Sequence, residues 1–424
     1  MHRTAGSPAV GASASFDAFL AAVSLRDSAA TRIKSSAPAA GATLYLRAAT
    51  VAPDAGGPGQ SYYDAADAFA AATMLDAAST ALDSAIAHNY HDSAALMDSV
   101  FTALRGTSHW SVLLKSIAAN ERRYRDDHSD PDRARITTSD IPRFWHAFDL
   151  AASAPTPEAR ADIFLHQYIE PGSRGLRDFY ALKIRSPKRL ADAAQQYPAF
   201  YAAVRSPTLR LADLEPTVRT VFRRMKELYP ATIYPDLYFV VGRVSSAGTA
   251  TDYGLLFGAE QNVGSPDIPL GELSEPLQRI VFPRADLPRT IAHELVHFQQ
   301  RLAGKHTLLD VALIEGGASF LADLAMPGVL APHYLTWGGA HERDVWTRFA
   351  REMNADDVAD WIGNNGTTGR AAWPADLGYF VGYEISKAYY ERAANKQDAI
   401  RDLILLVDSE AVLRQSHYAD RFTM

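Results

Sequence analysis

The chain contains no cysteine, which excludes disulfides, thiolate nucleophiles and cysteine-ligated metals and leaves histidine and carboxylate as the ligand set for any bound cation. It also lacks an excess of positive charge: 42 Lys and Arg stand against 49 Asp and Glu, for a formal net charge of −7. Nucleic-acid binders are usually basic, so this balance argues against one. The basic runs Arg122-Arg123 and Lys183-Ile184-Arg185 are short and read as solvated helix faces. There is no P-loop and no Gly-x-Ser-x-Gly elbow, so nucleotide hydrolysis and serine-hydrolase chemistry have no support. No internal repeat is visible. No stretch reaches transmembrane length, and the first twenty residues lack the apolar core of a signal peptide. Their small residues would also suit a mature chain after signal removal.

What is present is helical at the start. Residues 65–82 combine strong helix formers with recurring apolar positions and read as a helix. Ser139 and Thr156 each stand before a proline-initiated helical run and carry capping signals. The polar segment Asp126–Asp132 marks a break, giving a helical accessory region over 1–132 and a larger region over 133–424. The larger region divides into a helical lead-in (133–230), a sheet with the principal motif (231–330) and C-terminal helices (331–424). Within it, residues 236–244 and 254–260 read as strands, 279–282 as a third short one, and 245–251 as a turn. The expected class is α+β, mostly helical, with a small mixed sheet whose edge lies against a motif-bearing helix.

That motif is His-Glu-Leu-Val-His, 293 to 297. On an α-helix, side chains four apart lie one turn above each other, so His293 and His297 can aim imidazoles at one ion. Glu294 then sits where a carboxylate can take a proton from an activated water. Asp286 is placed to cap this helix, Pro288 suits its first turn, and Gly304 is a plausible stop. Glu315, eighteen positions past His297, falls in a second helix over 308–323, where a glutamate is costly to bury unless paired or bound to a cation. Gly316 and Gly317 each weaken a helix interior by about 1 kcal/mol, and close packing against the histidine helix is the expected compensation. An extended peptide lying antiparallel along an open sheet edge would place its scissile bond beside the metal.

These residues resemble the gluzincin metallopeptidases. In the aminopeptidase-N type, a second helix carries Asn-Glu-Gly-x-Ala and an aromatic residue; here Glu315, Gly316, Ala318 and Phe320 match, Ile314 replaces the asparagine, and the spacing is one residue shorter. The metzincin pattern is not met, because Gln300 and Ala303 stand where it has glycine and histidine. The resemblance implies Zn2+, one per chain, held by His293, His297 and Glu315, with Glu294 as general base. A Tyr-x-x-Gly element downstream matches Tyr379 and Gly382 and implies that Tyr379 stabilises the oxyanion, with Tyr383 one turn on as the fallback. Gly258, Ala259 and Glu260 are similar to the substrate-binding edge strand of aminopeptidases, although alignment puts Gln261 at the place of the amine-binding glutamate. A closer similarity, over roughly 136 to the C-terminus, is to bacterial proteins classed as zinc-dependent proteases, including the gliding-motility lipoprotein type. They share the run at 293–300, the Glu-Gly segment and Gly-Tyr-Phe-Val-Gly-Tyr at 378–383. The resemblance implies a zinc peptidase acting on peptide or protein substrates, foremost an endopeptidase, in the bacterial periplasm or otherwise exported, with a cytoplasmic place kept open. The alternatives are an aminopeptidase, for which Glu260 would bind the free amine, and a catalytically silent zinc-fold scaffold. The loop 363–369 stands just before the tyrosine helix and reads equally as a rim or lid over the cleft and as a simple connector.

Overall fold

Alanine-rich helices build the first unit. In the computed structural model, residues 15–53, 55–300, 306–327, 332–364 and 373–422 are described; the start of the chain, Gly304 and residues 365–369 of the expected lid lie outside them. The structure divides into two compact units, Met1–Tyr124 and Arg125–Met424. The first holds α1 (Phe16–Lys34), α2 (Pro38–Val51), α3 (Gln60–Ala71), α4 (Leu75–Ala87) and most of α5 (Trp110–Asp127). Ala65, Ala68, Ala78, Ala81 and Ala85 pack with Leu82 and Phe101 in its core, the small side chains letting α3 and α4 approach closely. The single helix expected over 65–82 is therefore two, folded back on each other at Thr73, which takes a left-handed φ of 59°.

The second unit begins with β1 (Ile136–Thr137) and a helical lead-in: α6 (Asp140–Ala152), α7 (Pro157–Phe164), α8 (Arg174–Phe179), α9 (Pro187–Gln196), α10 (Pro198–Leu209) and α11 (Glu215–Leu228). A wide turn, Tyr180–Ile184, continues α8. Thr156 caps α7 through Ala159 N at 3.1 Å, whereas Ser139 makes no side-chain cap to α6. The polar segment after α5 is tethered to α11: Lys226 Nζ donates to Ser129 O at 3.1 Å and Arg223 pairs with Asp132 at 2.7 Å.

β2 (Leu237–Val240), β3 (Gly248–Thr251) and β4 (Gly254–Gly258) complete a mixed sheet in the order β1-β2-β4-β3, with β3 antiparallel to β4 and the other pairs parallel. β2 and β4 are buried throughout, as their unbroken apolar runs require. The edge is β3, in a stretch expected to be a turn, while 254–260, expected at the edge, is the inner strand β4 followed by a 3-10 turn. Residues 279–282 form no strand; they follow the short α12 (Glu275–Gln278) and contact the sheet region through the bond from Phe282 N to Gln261 O at 2.7 Å.

Against the sheet packs α13 (Leu287–Gln299), followed by α14 (Leu308–Ala325), α15 (His333–Ala340), α16 (Glu342–Glu352), α17 (Leu377–Arg392), α18 (Lys396–Leu405) and α19 (Ser409–Ser416). Pro288 opens α13 as expected, but Asp286 makes no capping bond. α14 starts with a capping box between Thr307 and Asp310. Among the described residues no helix is long and apolar enough to cross a membrane.

Candidate metal centre

The four-residue spacing on α13 sets the rings of His293 and His297 perpendicular, with centroids 4.5 Å apart and Nε2 atoms 2.9 Å apart. Glu315, from α14, brings Oε2 to 3.1 Å from His297 Nε2 and 3.5 Å from His293 Nε2. Ligands of a tetrahedral zinc at ordinary bond lengths lie about 3.3 Å from each other, so this donor set fits such an ion. Among the described residues, this is the group of histidine and carboxylate side chains close enough to share one.

Hydrogen bonds on the far side of the rings support the same arrangement. His297 Nδ1 donates to Gln300 Oε1 at 2.7 Å, and Gln300 Nε2 in turn donates to Ile314 O at 3.1 Å, which leaves the His297 Nε2 lone pair facing the centre. Ser319 Oγ lies 3.3 Å from His293 Nδ1 and 3.4 Å from Tyr334 Oη. Burial works to raise the Glu315 carboxyl, yet the imidazoles beside it hold it well below the usual range. Burial likewise opposes charge on His297, but Glu315 prevails and pushes it up to about 9, so the metal-free centre attracts positive charge.

Glu294 points to the sheet. A methyl group on Gly248 would lie 2.6 Å from Glu294 Oε1, so the glycine leaves the room that this carboxylate occupies beside β3. Burial raises the Glu294 carboxyl, opposed chiefly by His293 and His297.

The second wall is α17. Its Tyr379 phenol is close enough to Glu315 for the carboxylate's charge to bear on it, and its ring lies 6.3 Å from that of His293 and 5.4 Å from that of Tyr334. The close approach depends on two glycines. A Cβ on Gly382 would stand 1.7 Å from Ala312 O, and one on Gly316 2.2 Å from Tyr383 N. The compensation for Gly316 is thus contact with α17 and not, as expected, with the histidine helix. Tyr383 is turned elsewhere: the charge of Asp323 bears on its hydroxyl and its ring meets Phe320 edge-on at 5.6 Å, so the fallback residue is not brought to the three ligands.

Gly258, Ala259 and Glu260 do not line an open edge. All three are buried, because β4 is flanked by β2 and β3. Glu260 accepts from Gly242 N at 2.9 Å and from Val244 N at 3.0 Å, and burial pushes its carboxyl up to about 7. It holds the loop into β3, where Val244 has a left-handed φ of 59°, a costly conformation for a β-branched residue. Its oxygens are therefore committed to backbone and not to a substrate amine.

Sequence reasoning missed Gln300, Ser319, Tyr334 and the ion pair of Arg289 Nε with Asp323. Two had a readable signal, since Ser319 follows Glu315 and Arg289 precedes His293 by one turn on the same helix faces. Removing the hydroxyl in Ser319→Ala is expected to weaken zinc binding about tenfold in a chelator competition, with the fold intact. An unchanged affinity would show that Ser319 does not position His293.

A family profile described as gliding motility protein GldB matches residues 181–420, more than half of the chain. The chain belongs to the GldB family. The GldB match takes in β2, β3, β4, α13, α14 and α17, and with them every residue of the centre. Membership of this gliding-motility lipoprotein family fits an exported or envelope-associated protein. Searches of curated proteins and of solved structures returned no match.

Proposed function

We propose that this GldB-family chain is a zinc-dependent peptidase that cleaves within peptide chains. The family description names a process and not a reaction, so the chemistry is argued from the residues. The observation that carries it is the convergence of His293, His297 and Glu315 on one point, with the Glu294 carboxylate beside the edge strand β3 and interacting with the charge of both histidines. Zinc bound there would supply a Lewis acid that polarises the scissile carbonyl and acidifies water. Glu294 takes the proton of the attacking water and returns it to the leaving amine. Tyr379 donates its phenolic hydrogen to the developing oxyanion without competing as a ligand. The peptide pairs with the open side of β3, whose backbone fixes its direction. A carboxylate in the place of Glu294 has no structural duty at the metal, which favours catalysis over a silent scaffold.

The commitment of Glu260 favours an endopeptidase over an aminopeptidase. N-acetylated and free peptides of one sequence are expected to be cut at comparable internal bonds when products are separated by mass spectrometry. A strict requirement for a free amine would reverse that choice. Tyr379→Phe is expected to lower kcat about a hundredfold at unchanged zinc content; an unaltered kcat would remove Tyr379 from the mechanism. The family match supports a periplasmic or exported setting for this activity.

A further inference from the structure

The short basic run read in the sequence as a solvated face includes Lys183, whose charge acts on the Glu294 carboxylate. Arg243 leaves β2 on the loop toward β3, and its Nε donates to the carbonyls of Lys183 and Ile184, both at 3.1 Å. These are the last residues of the turn that continues α8, so the guanidinium caps a helical C-terminus and is fixed in orientation by two bonds on one edge. Its Nη1 and Nη2 have no hydrogen-bond or ion-pair partner among the described residues, and neither is buried without one. The guanidinium therefore presents a free fork of donors, held still before any ligand arrives.

Two more cations accompany it. Arg189, exposed on α9, is close enough for its charge to bear on Arg243, and Lys183 is half-buried with its charge reaching Glu294. Neither side chain forms an ion pair among the described residues. The nearest internal acid, Glu260, is turned to the backbone N–H groups of Gly242 and Val244. Burial and Arg189 both press the Arg243 guanidinium toward the neutral form, the Tyr201 phenol acts the other way, and no carboxylate figures among the charges acting on it. In a chain with a net charge of −7, three neighbouring cations without an ion pair are a departure from the average surface. Only four residues separate Arg243 from Gly248, which abuts Glu294. A peptide paired along β3 thus runs past Glu294 and brings a neighbouring residue within reach of the cations.

From this geometry we propose that Arg243, Lys183 and Arg189 form a carboxylate-binding subsite, so that the substrates are peptides carrying an acidic side chain or a free C-terminus next to the scissile bond. Arg243 supplies the bidentate contact, and Lys183 and Arg189 supply charge. The proposal rests on β3 being the peptide-binding edge, and its test is separable from hydrolysis.

The test measures binding to the full chain carrying Glu294→Gln, so that no turnover is needed, by fluorescence anisotropy at low salt. The probes are four fluorescein-labelled peptides of one otherwise neutral sequence, with glutamate or glutamine at one internal position and with a free or an amidated C-terminus. One carboxylate-bearing form is expected to bind about tenfold more tightly than its neutral counterpart, with the preference fading as salt rises. Whichever pair shows the difference, internal or terminal, identifies the source of the carboxylate. Arg243→Lys, which keeps the charge and loses the fork, is expected to abolish most of the preference. Arg189→Gln, at an exposed position where folding is not at risk, is expected to reduce it severalfold. Equal binding of charged and neutral probes, no binding of any probe, or a preference untouched by both substitutions would overturn the subsite. Should wild-type protein bind acidic probes selectively and cut none of them, the hydrolase reading fails while the subsite stands.

Discussion

Glu294→Gln protein is expected to bind zinc as the wild type does and to cleave peptides at a rate lower by about 10^2 to 10^4. The substitution is isosteric, and Gly248 leaves the same room for an amide as for the carboxylate. None of the three ligand atoms belongs to residue 294, so metal content measured by plasma mass spectrometry should not change. What is lost is the capacity to accept a proton, which an amide lacks at any working pH. Rates from peptide digests followed by chromatography give the comparison. A mutant with full turnover would exclude Glu294 as the base, and wild-type protein that takes up no zinc would remove the foundation of the proposal.

The second large effect is on stability. Gly382→Ala places a methyl group 1.7 Å from Ala312 O, where only backbone can yield, so α14 and α17 must separate. Overpacking of this kind destabilises by about 3 kcal/mol or more, read as a lowered urea midpoint at unchanged slope. Gly317→Ala is the internal control. Its methyl would meet only Ser386 Oγ at 3.3 Å, and the gain of about 1 kcal/mol in helix propensity offsets that contact. Equal midpoints for Gly382→Ala and wild type would show that the two helices do not depend on this crossing.

The contrast between those two glycines shows what the sequence could disclose. Gly317 was legible as a residue that a helix tolerates poorly and Gly382 as part of a Tyr-x-x-Gly element, but which one was needed, and against which neighbour, depends on how α14 and α17 cross. The juxtaposition of His293 and His297 was legible because it follows from helix periodicity alone. Glu315 and Tyr379 were placed by family resemblance, and the structure brings both to the histidines. The sheet edge was misplaced for a physical reason. Ser-Ser-Ala-Gly-Thr-Ala has little β propensity, and β3 exists because its ladder to β4 overrides that preference. Its neighbour Gly-Leu-Leu-Phe-Gly has the stronger local signal and for that reason is the strand buried inside. Glu260 was misjudged in the same way, since nothing local indicates that a glutamate will spend both oxygens on the backbone sixteen and eighteen residues upstream. Tyr334 had no signal at all, because its place beside Ser319 is set by packing between helices.

The glycine crossing also divides labour between the two sides of the cleft. With no side chain between them at Gly316 and Gly382, the helix that carries Glu315 and the helix that carries Tyr379 behave as one stiff girder. The loop from Gly242 to Ala247, which sets the position of β3, is anchored by a few hydrogen bonds to Glu260 and Gln261. A peptide bound as proposed is expected to leave the spacing between Glu315 and Tyr379 constant, any adjustment falling to β3 while Arg243 stays pinned to Lys183 and Ile184.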